Sequence, residues 1–187
     1  AVSISFATAA PFSKNAEEIY QRYKEALYSF QKDTLHPKDK VLDTGEATIL
    51  IIGMGRVGTG AYRVLEQARP GKVLGIELND DRAADLRNQG FNVEVADATD
   101  TDFWNMVHQA KSIEEMIILA MPNHMGNVYA AERIQVSDVD CKVVAIAKHE
   151  TEVDGLSKMG IPSFNLYREA GERLAGEALN QLGLKNQ

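Results

Sequence analysis

Cysteine is nearly absent: Cys141 is the only one in 187 residues. No internal disulfide and no zinc site of the paired-cysteine kind can be built, which implies a reducing compartment and leaves Cys141 as a small residue opening a strand. Positive charge is also scarce. Twenty Lys and Arg face 27 Asp and Glu, a formal net charge of -7. A chain of this balance has no broad positive field for nucleic-acid phosphates or anionic lipid, so small ligands and protein partners remain. Nor is there a long apolar run. The two longest uncharged stretches, Met116 to Ala131 and Ala1 to Ser13, are both short of the roughly 20 residues that cross a bilayer, and neither has a basic flank before it. The polypeptide is expected to be soluble, and its start at Ala1 rather than Met reads as a piece of something longer.

Catalytic signatures are lacking as well. His36, His108, His124 and His149 occur singly, with no His-Glu-x-x-His spacing, and no Gly-x-Ser-x-Gly elbow exists. The two Tyr-x-x-x-Lys spacings, Tyr20 to Lys24 and Tyr28 to Lys32, both lie ahead of the glycine-rich and strand segments described next. No catalytic residue and no metal site are therefore assigned.

What is present is regular alternation. Residues 1–13 read as a loose arm. Ser13 to Asp33 carries Ile19, Tyr23, Leu27 and Phe30 at helical spacing, an amphipathic helix, and Asp33 to Gly45 with His36-Pro37 is a linker. Beyond it, short apolar runs (48–52, 72–77, 92–95, 115–120, 142–147 and 163–166) alternate with helical stretches (56–69, 80–89, 101–110, 123–135, 150–159 and 168–182). Repeated strand-helix-strand units give parallel strands with helices on both faces. The fold class is α/β: a Rossmann-type, doubly wound, six-stranded parallel sheet over 45–187, preceded by an arm, helix and linker over 1–44.

The first unit carries Gly53-Met54-Gly55-Arg56-Val57-Gly58 directly after a strand and opening a helix. Gly53 permits the tight turn, Gly55 lets a pyrophosphate approach the backbone, and Gly58 allows close helix-strand packing. The helix N-terminus then offers unpaired N–H groups to phosphate. The next strand ends at Glu77, where a carboxylate accepts from ribose hydroxyls and repels a 2′-phosphate, so NAD or another plain adenosine nucleotide is favoured over NADP. Arg82, five residues on, has a planar side chain suited to stacking on adenine. Asp97 and Thr99 end the third strand, with Thr99 or Asp100 suited to capping the helix that follows. Ala120 leaves room for a ligand at the fourth strand end, and Asn123 is equally suited to touching that ligand or capping a helix. Phe103 and Trp104 are core residues. After the sixth strand one helix remains, without room for the substrate domain of a nicotinamide dehydrogenase.

These motifs resemble the TrkA-N domain, also called the RCK regulatory domain, and within it the cytoplasmic domain of glutathione-gated potassium efflux systems of the Kef type. The resemblance rests on Ile52 to Gly58, Glu77 with Asn79 and Arg82, Ala96-Asp97-Ala98-Thr99, and Ala120-Met121, and covers residues 47 to about 165. Two departures stand out: Ala96 where the family commonly has Gly, and Lys148 where many Kef sequences have an arginine-rich strand end. The resemblance implies a dimeric sensing module on the cytoplasmic face of a potassium efflux transporter, joined to a membrane domain. It further implies AMP, NAD or NADH bound by Gly53, Met54, Gly55, Arg56, Val57, Gly58, Glu77, Leu78, Arg82, Asp97, Ala98, Thr99, Ala120, Met121 and Asn123. Glutathione or a glutathione adduct would act near the dimer interface, within reach of Arg56, whose alternative is a solvated helix position. The other functional class is a small NAD-dependent oxidoreductase; the acidic balance disfavours a DNA-binding redox sensor.

Overall fold

Ile49, Leu50, Ile51 and Ile52 leave no polar side, and such a strand needs protein on both faces. They form β1 (Ile49–Ile52), buried at every position. The computed structural model describes residues 42–184 other than 138 and 140, together with Arg22 and Tyr23. The chain divides into two units, Ala1–Lys40 and Val41–Gln187. Arg22 and Tyr23 are helical; the rest of the expected amphipathic helix, with its arm and most of its linker, lies outside the described residues.

In the second unit β1 is followed by α1 (Arg56–Ala68), β2 (Val73–Glu77), α2 (Asp80–Asn88), β3 (Val93–Val95), α3 (Thr101–Ala110), β4 (Met116–Leu119), α4 (His124–Val136), β5 (Lys142–Ala147), α5 (Glu150–Lys158), β6 (Ser163–Asn165) and α6 (Leu166–Gln181). All six strands are parallel, in the order β3-β2-β1-β4-β5-β6. This is the doubly wound Rossmann sheet expected from the alternation.

Alternate residues of β1, β2 and β4 feed opposite clusters, the consequence of the two-residue period. Ile49, Ile51, Val73 and Val93 pack with Tyr62 of α1 and with Ala83 and Leu86 of α2. Leu50, Ile52, Leu74, Ile117 and Leu119 pack with Phe103 and Trp104 of α3, Ala130 and Ile134 of α4, and Leu156 of α5. The chain winds outward from β1 to β3, then crosses to β4 on the other side of β1. Their connections therefore diverge at the carboxyl edge of the sheet, where this fold forms its crevice.

Most element ends lie within one or two residues of the alternation-based limits, and two of the differences have a visible cause in capping. The sixth strand stops at Asn165, because the Asn165 side chain accepts from the Arg168 backbone N–H at 3.0 Å and caps α6 there. Asn123 likewise precedes α4 as its cap, accepting from the Met125 N–H at 3.1 Å.

At the opposite edge the incoming segment is fastened to the connection between α3 and β4. Leu42 and Ala47 are buried. Ser112 Oγ lies 2.7 Å from Thr44 Oγ1 in a hydrogen bond, and Thr48 Oγ1 donates to Glu115 Oε1 at 2.9 Å. Glu115 also pairs with Arg69.

Candidate functional site

The carboxyl edge begins where the ladder runs one residue past β1 and β4. Gly53 N–H donates to the Ile76 carbonyl at 2.9 Å, and Ala120 N–H to the Ile52 carbonyl at 2.8 Å. Gly53 has φ +94°, a left-handed conformation that only glycine adopts freely. A Cβ there would stand 2.9 Å from Met121 N, and a Cβ on Gly58 would stand 2.0 Å from the Gly53 oxygen. Both glycines are required by the fold itself. Gly55 is not: its φ is −70° and no other part of the chain comes within 4 Å of where its Cβ would be. It caps α1 without any side-chain hydrogen bond, whereas Asn79 and Asp100 cap α2 and α3 with theirs. The first N–H groups of α1 and their partial positive charge thus face the surface beside Gly55, an arrangement suited to an anion.

Met54 contributes only its backbone. Its side chain is fully buried and presses against β2, where a Cβ on Gly75 would lie 2.5 Å from Met54 Sδ. Its carbonyl oxygen accepts from Arg82 Nε at 3.0 Å and Nη2 at 2.8 Å. Arg82 Nε also stands 3.4 Å from Glu77 Oε2, and the Glu77 side chain is only 14% exposed. Glu77 Oε1 accepts from Asn79 N–H at 3.1 Å, and Asn79 Oδ1 accepts from Arg82 N–H at 2.8 Å. The glycine loop, the end of β2 and the start of α2 are therefore one hydrogen-bonded network. Arg82, expected over adenine, has its donors on this network.

Beyond β3, Asp97 Oδ1 accepts from the Thr99 N–H at 2.8 Å and its hydroxyl at 2.6 Å, so the two form a closed turn on the exposed rim. Ala98 is buried, and its carbonyl accepts from Trp104 Nε1 at 2.9 Å. Asp100, not Thr99, caps α3, accepting from Asp102 N–H at 3.0 Å. Past β5, Lys148 Nζ donates to the Pro122 carbonyl and its backbone N–H donates to Glu152 Oε2, both at 2.6 Å. That backbone N–H, more than the nearby His124 and His149, holds the Glu152 carboxyl below its ordinary range.

Residues 49–164 match the family model of the TrkA-N domain. The chain belongs to the TrkA-N family. No curated protein matches its sequence. The TrkA-N domain of the Escherichia coli inner membrane protein YbaL is 22% identical, with a TM-score of 0.58, 72% of this chain and 97% of that one being covered. The Shewanella denitrificans Kef C-terminal domain, in its AMP-bound form, is 20% identical with a TM-score of 0.57, covering 72% and 80%. The GsuK channel bound to NAD is 20% identical with a TM-score of 0.60, covering 86% of this chain and 29% of that one. At these identities the likeness is one of fold.

In this TrkA-N domain the residues singled out from sequence fall into three sets. Gly53, Met54, Gly58, Glu77, Arg82, Ala120 and Met121 are joined by the contacts above and by Ala120-Met121 lying against Gly53, and Gly55 stands open beside them. Arg56 and Leu78 are exposed, Val57 is half-buried, and the Asp97-Ala98-Thr99 turn follows the β3 strand paired to Glu77. Asn123 is committed to capping through its Oδ1. Sequence reasoning passed over Asn127, whose side chain binds Met121 on both sides. Its signal was an amide amid small and apolar residues of a helix, Gly126 to Ala131.

Proposed function

We propose that residues 45–187 form a regulatory domain that binds an adenine nucleotide, AMP or NAD(H), at the carboxyl edge of the sheet. The observation that carries this is Gly55, a fingerprint glycine that the fold does not need, at an α1 N-terminus without a side-chain cap. Phosphate would lie over Gly53 to Gly58 and ribose hydroxyls at Glu77. The base would lie between Leu78, Arg82 and the Asp97 to Thr99 turn, with Ala120, Met121 and Asn123 opposite. The AMP and NAD held by the Kef domain and the GsuK channel support this reading.

In this reading the domain sits on the cytoplasmic face of the cell membrane as part of a potassium efflux system, a potassium/proton antiporter. It gates transport because nucleotide binds one arrangement of a homodimer better than another. Glutathione or its adduct acts near the dimer interface. A membrane domain of the same polypeptide or complex completes the assembly in this reading; among the described residues no helix is long and apolar enough to cross a membrane. Phe164, Tyr167 and Leu174 are 45%, 60% and 72% exposed, and α6 has no buried residue. Contact with a second copy would cover this surface. The crevice carboxylates are bonded to neighbours, Glu77 to Asn79 and Asp97 to Thr99, which suits holding a ligand rather than moving a proton.

Gly55→Ala tests the reading. The substitution meets no atom and needs no unusual φ, so the melting temperature should fall only slightly, by the fraction of a kcal/mol, roughly 0.5, by which Ala is a poorer helix N-cap than Gly. Saturating AMP, NAD or NADH at about 100 times Kd should stabilise the unaltered chain by about 2.7 kcal/mol, and Gly55→Ala should lose most of that. Absence of any shift in the unaltered chain overturns nucleotide binding. Turnover of NAD with a small substrate overturns the regulatory reading in favour of an oxidoreductase.

A further inference from the structure

Asn127 is 1% exposed, a polar side chain in the second turn of α4. Its carboxamide serves one residue. Nδ2 donates to the Met121 carbonyl at 3.0 Å, and Oδ1 accepts from the Met121 N–H at 3.1 Å. Met121 lies past the last ladder bond of β4, made by Ala120 to Ile52, and the next residue, Pro122, has no N–H. Both backbone groups of Met121 therefore take from a side chain what a strand neighbour supplies elsewhere. The Met121 side chain is seated too: a Cβ on Gly126 would lie 3.3 Å from Met121 Sδ. On its other side the Met121 backbone faces Gly53, with N and Cα 2.9 and 3.0 Å from where a Gly53 Cβ would be.

We propose that Asn127 is a positioning residue for the crevice: its carboxamide fixes the loop between β4 and α4 against the glycine loop and so sets the space left for phosphate. This rests on the nucleotide reading above. Two bonds from one planar group tie down the peptide units on both sides of the Met121 Cα, fixing the place and the tilt of the backbone there, which one bond would leave free to rotate. The pairing needs a donor and an acceptor side by side at one length. Aspartate matches the size but cannot donate, and would set its second oxygen against the Met121 carbonyl. Alanine removes both bonds.

The test uses the 187-residue chain and its variants Asn127→Asp, Asn127→Ala and, as a folding control, Ile134→Val at the far end of the same helix. AMP and NAD affinities are measured by calorimetry, melting temperatures by scanning, and amide hydrogen exchange at Met121 and over residues 53–58 without ligand. In both Asn127 variants the Kd should rise at least about tenfold, and exchange at Met121 should accelerate by a similar factor and extend to the glycine loop. Ile134→Val should lower the melting temperature while leaving Kd and Met121 exchange unchanged. If Asn127→Ala does not fold, the size-matched Asn127→Asp carries the comparison. A lowered melting temperature with Kd within twofold and unchanged exchange overturns the proposal. If the unaltered chain binds neither nucleotide, the nucleotide reading falls, and the exchange data alone decide whether Asn127 sets the loop.

Discussion

Arg82 bridges α2 and the glycine loop: its Nε and Nη2 both donate to the Met54 carbonyl, at 3.0 and 2.8 Å, while Nε stands 3.4 Å from the Glu77 carboxylate. A planar fork can serve both neighbours; an ammonium keeps the charge but not the paired geometry. Arg82→Ala is expected to weaken AMP binding about tenfold, or about 1.4 kcal/mol, with Arg82→Lys in between. Titration calorimetry of the three proteins decides it, and equal affinities would remove Arg82 from the site.

Glu77 supplies the choice between cofactors. A phosphate on the ribose 2′ oxygen would meet a carboxylate that is 14% exposed and only partly neutralised by Arg82. The unaltered chain should bind NAD at least about tenfold more tightly than NADP, the scale of one lost charge-assisted contact. Glu77→Gln should narrow that gap by improving NADP. Because the Arg82 partner is half exposed, its ion pair contributes at most about 1 kcal/mol, so the melting temperature should move little. A gap that survives Glu77→Gln would place the discrimination elsewhere.

Two glycines of α1 should respond in opposite directions. A Cβ on Gly58 would sit 2.0 Å from the Gly53 oxygen, and because that oxygen is backbone, the helix or the loop must move. Gly58→Ala should destabilise by about 3 kcal/mol or more. Gly60 has nothing within 4 Å, and Gly60→Ala should stabilise by about 0.5–1 kcal/mol. Urea unfolding of both reads the signs, and equal effects would contradict the described packing of α1.

Acid stability carries a contribution from Glu152. The Lys148 N–H, first, and then His124 and His149 lower its carboxyl below the ordinary value. A depressed folded pKa gives stability that is complete above the unfolded value, about 4.3, and is lost as pH falls through the folded one. Glu152→Gln should flatten the decline in unfolding free energy below about pH 4, while removing some stability at pH 7. Urea midpoints between pH 3 and 7 measure both, and an unchanged acid slope would contradict the contact.

The alternation of apolar runs and helices was legible because β1, β2 and β4 are short, branched and almost wholly apolar, so burial on both faces was written into composition. The Gly53 to Gly58 turn, Glu77 and the Asp97 to Thr99 turn were legible as sequence spacing on strand ends. The donors of Arg82 were read differently: its stacking role was inferred from distance along the chain, whereas its bonds to Met54 depend on how closely α2 approaches the loop after β1. Asn127 was invisible for a related reason. Its partner is six residues away around a strand-to-helix corner, and no periodic pattern encodes a bond across a corner. The early start of α6 at Leu166 was missed because Asn165 looked like the middle of a strand end rather than a cap.

The fastening of Thr44 to Ser112 has a mechanical meaning. Ser112 follows directly on Lys111, the residue that closes α3 in a left-handed conformation, and Asp100, which opens α3, follows directly on the Asp97 to Thr99 turn. Ten helical residues span about 15 Å at 1.5 Å each, so one stiff rod has the rim of the crevice at one end and the chain's point of arrival in the domain at the other. A displacement of the rim along that axis becomes a displacement of Thr44 unless the rod bends.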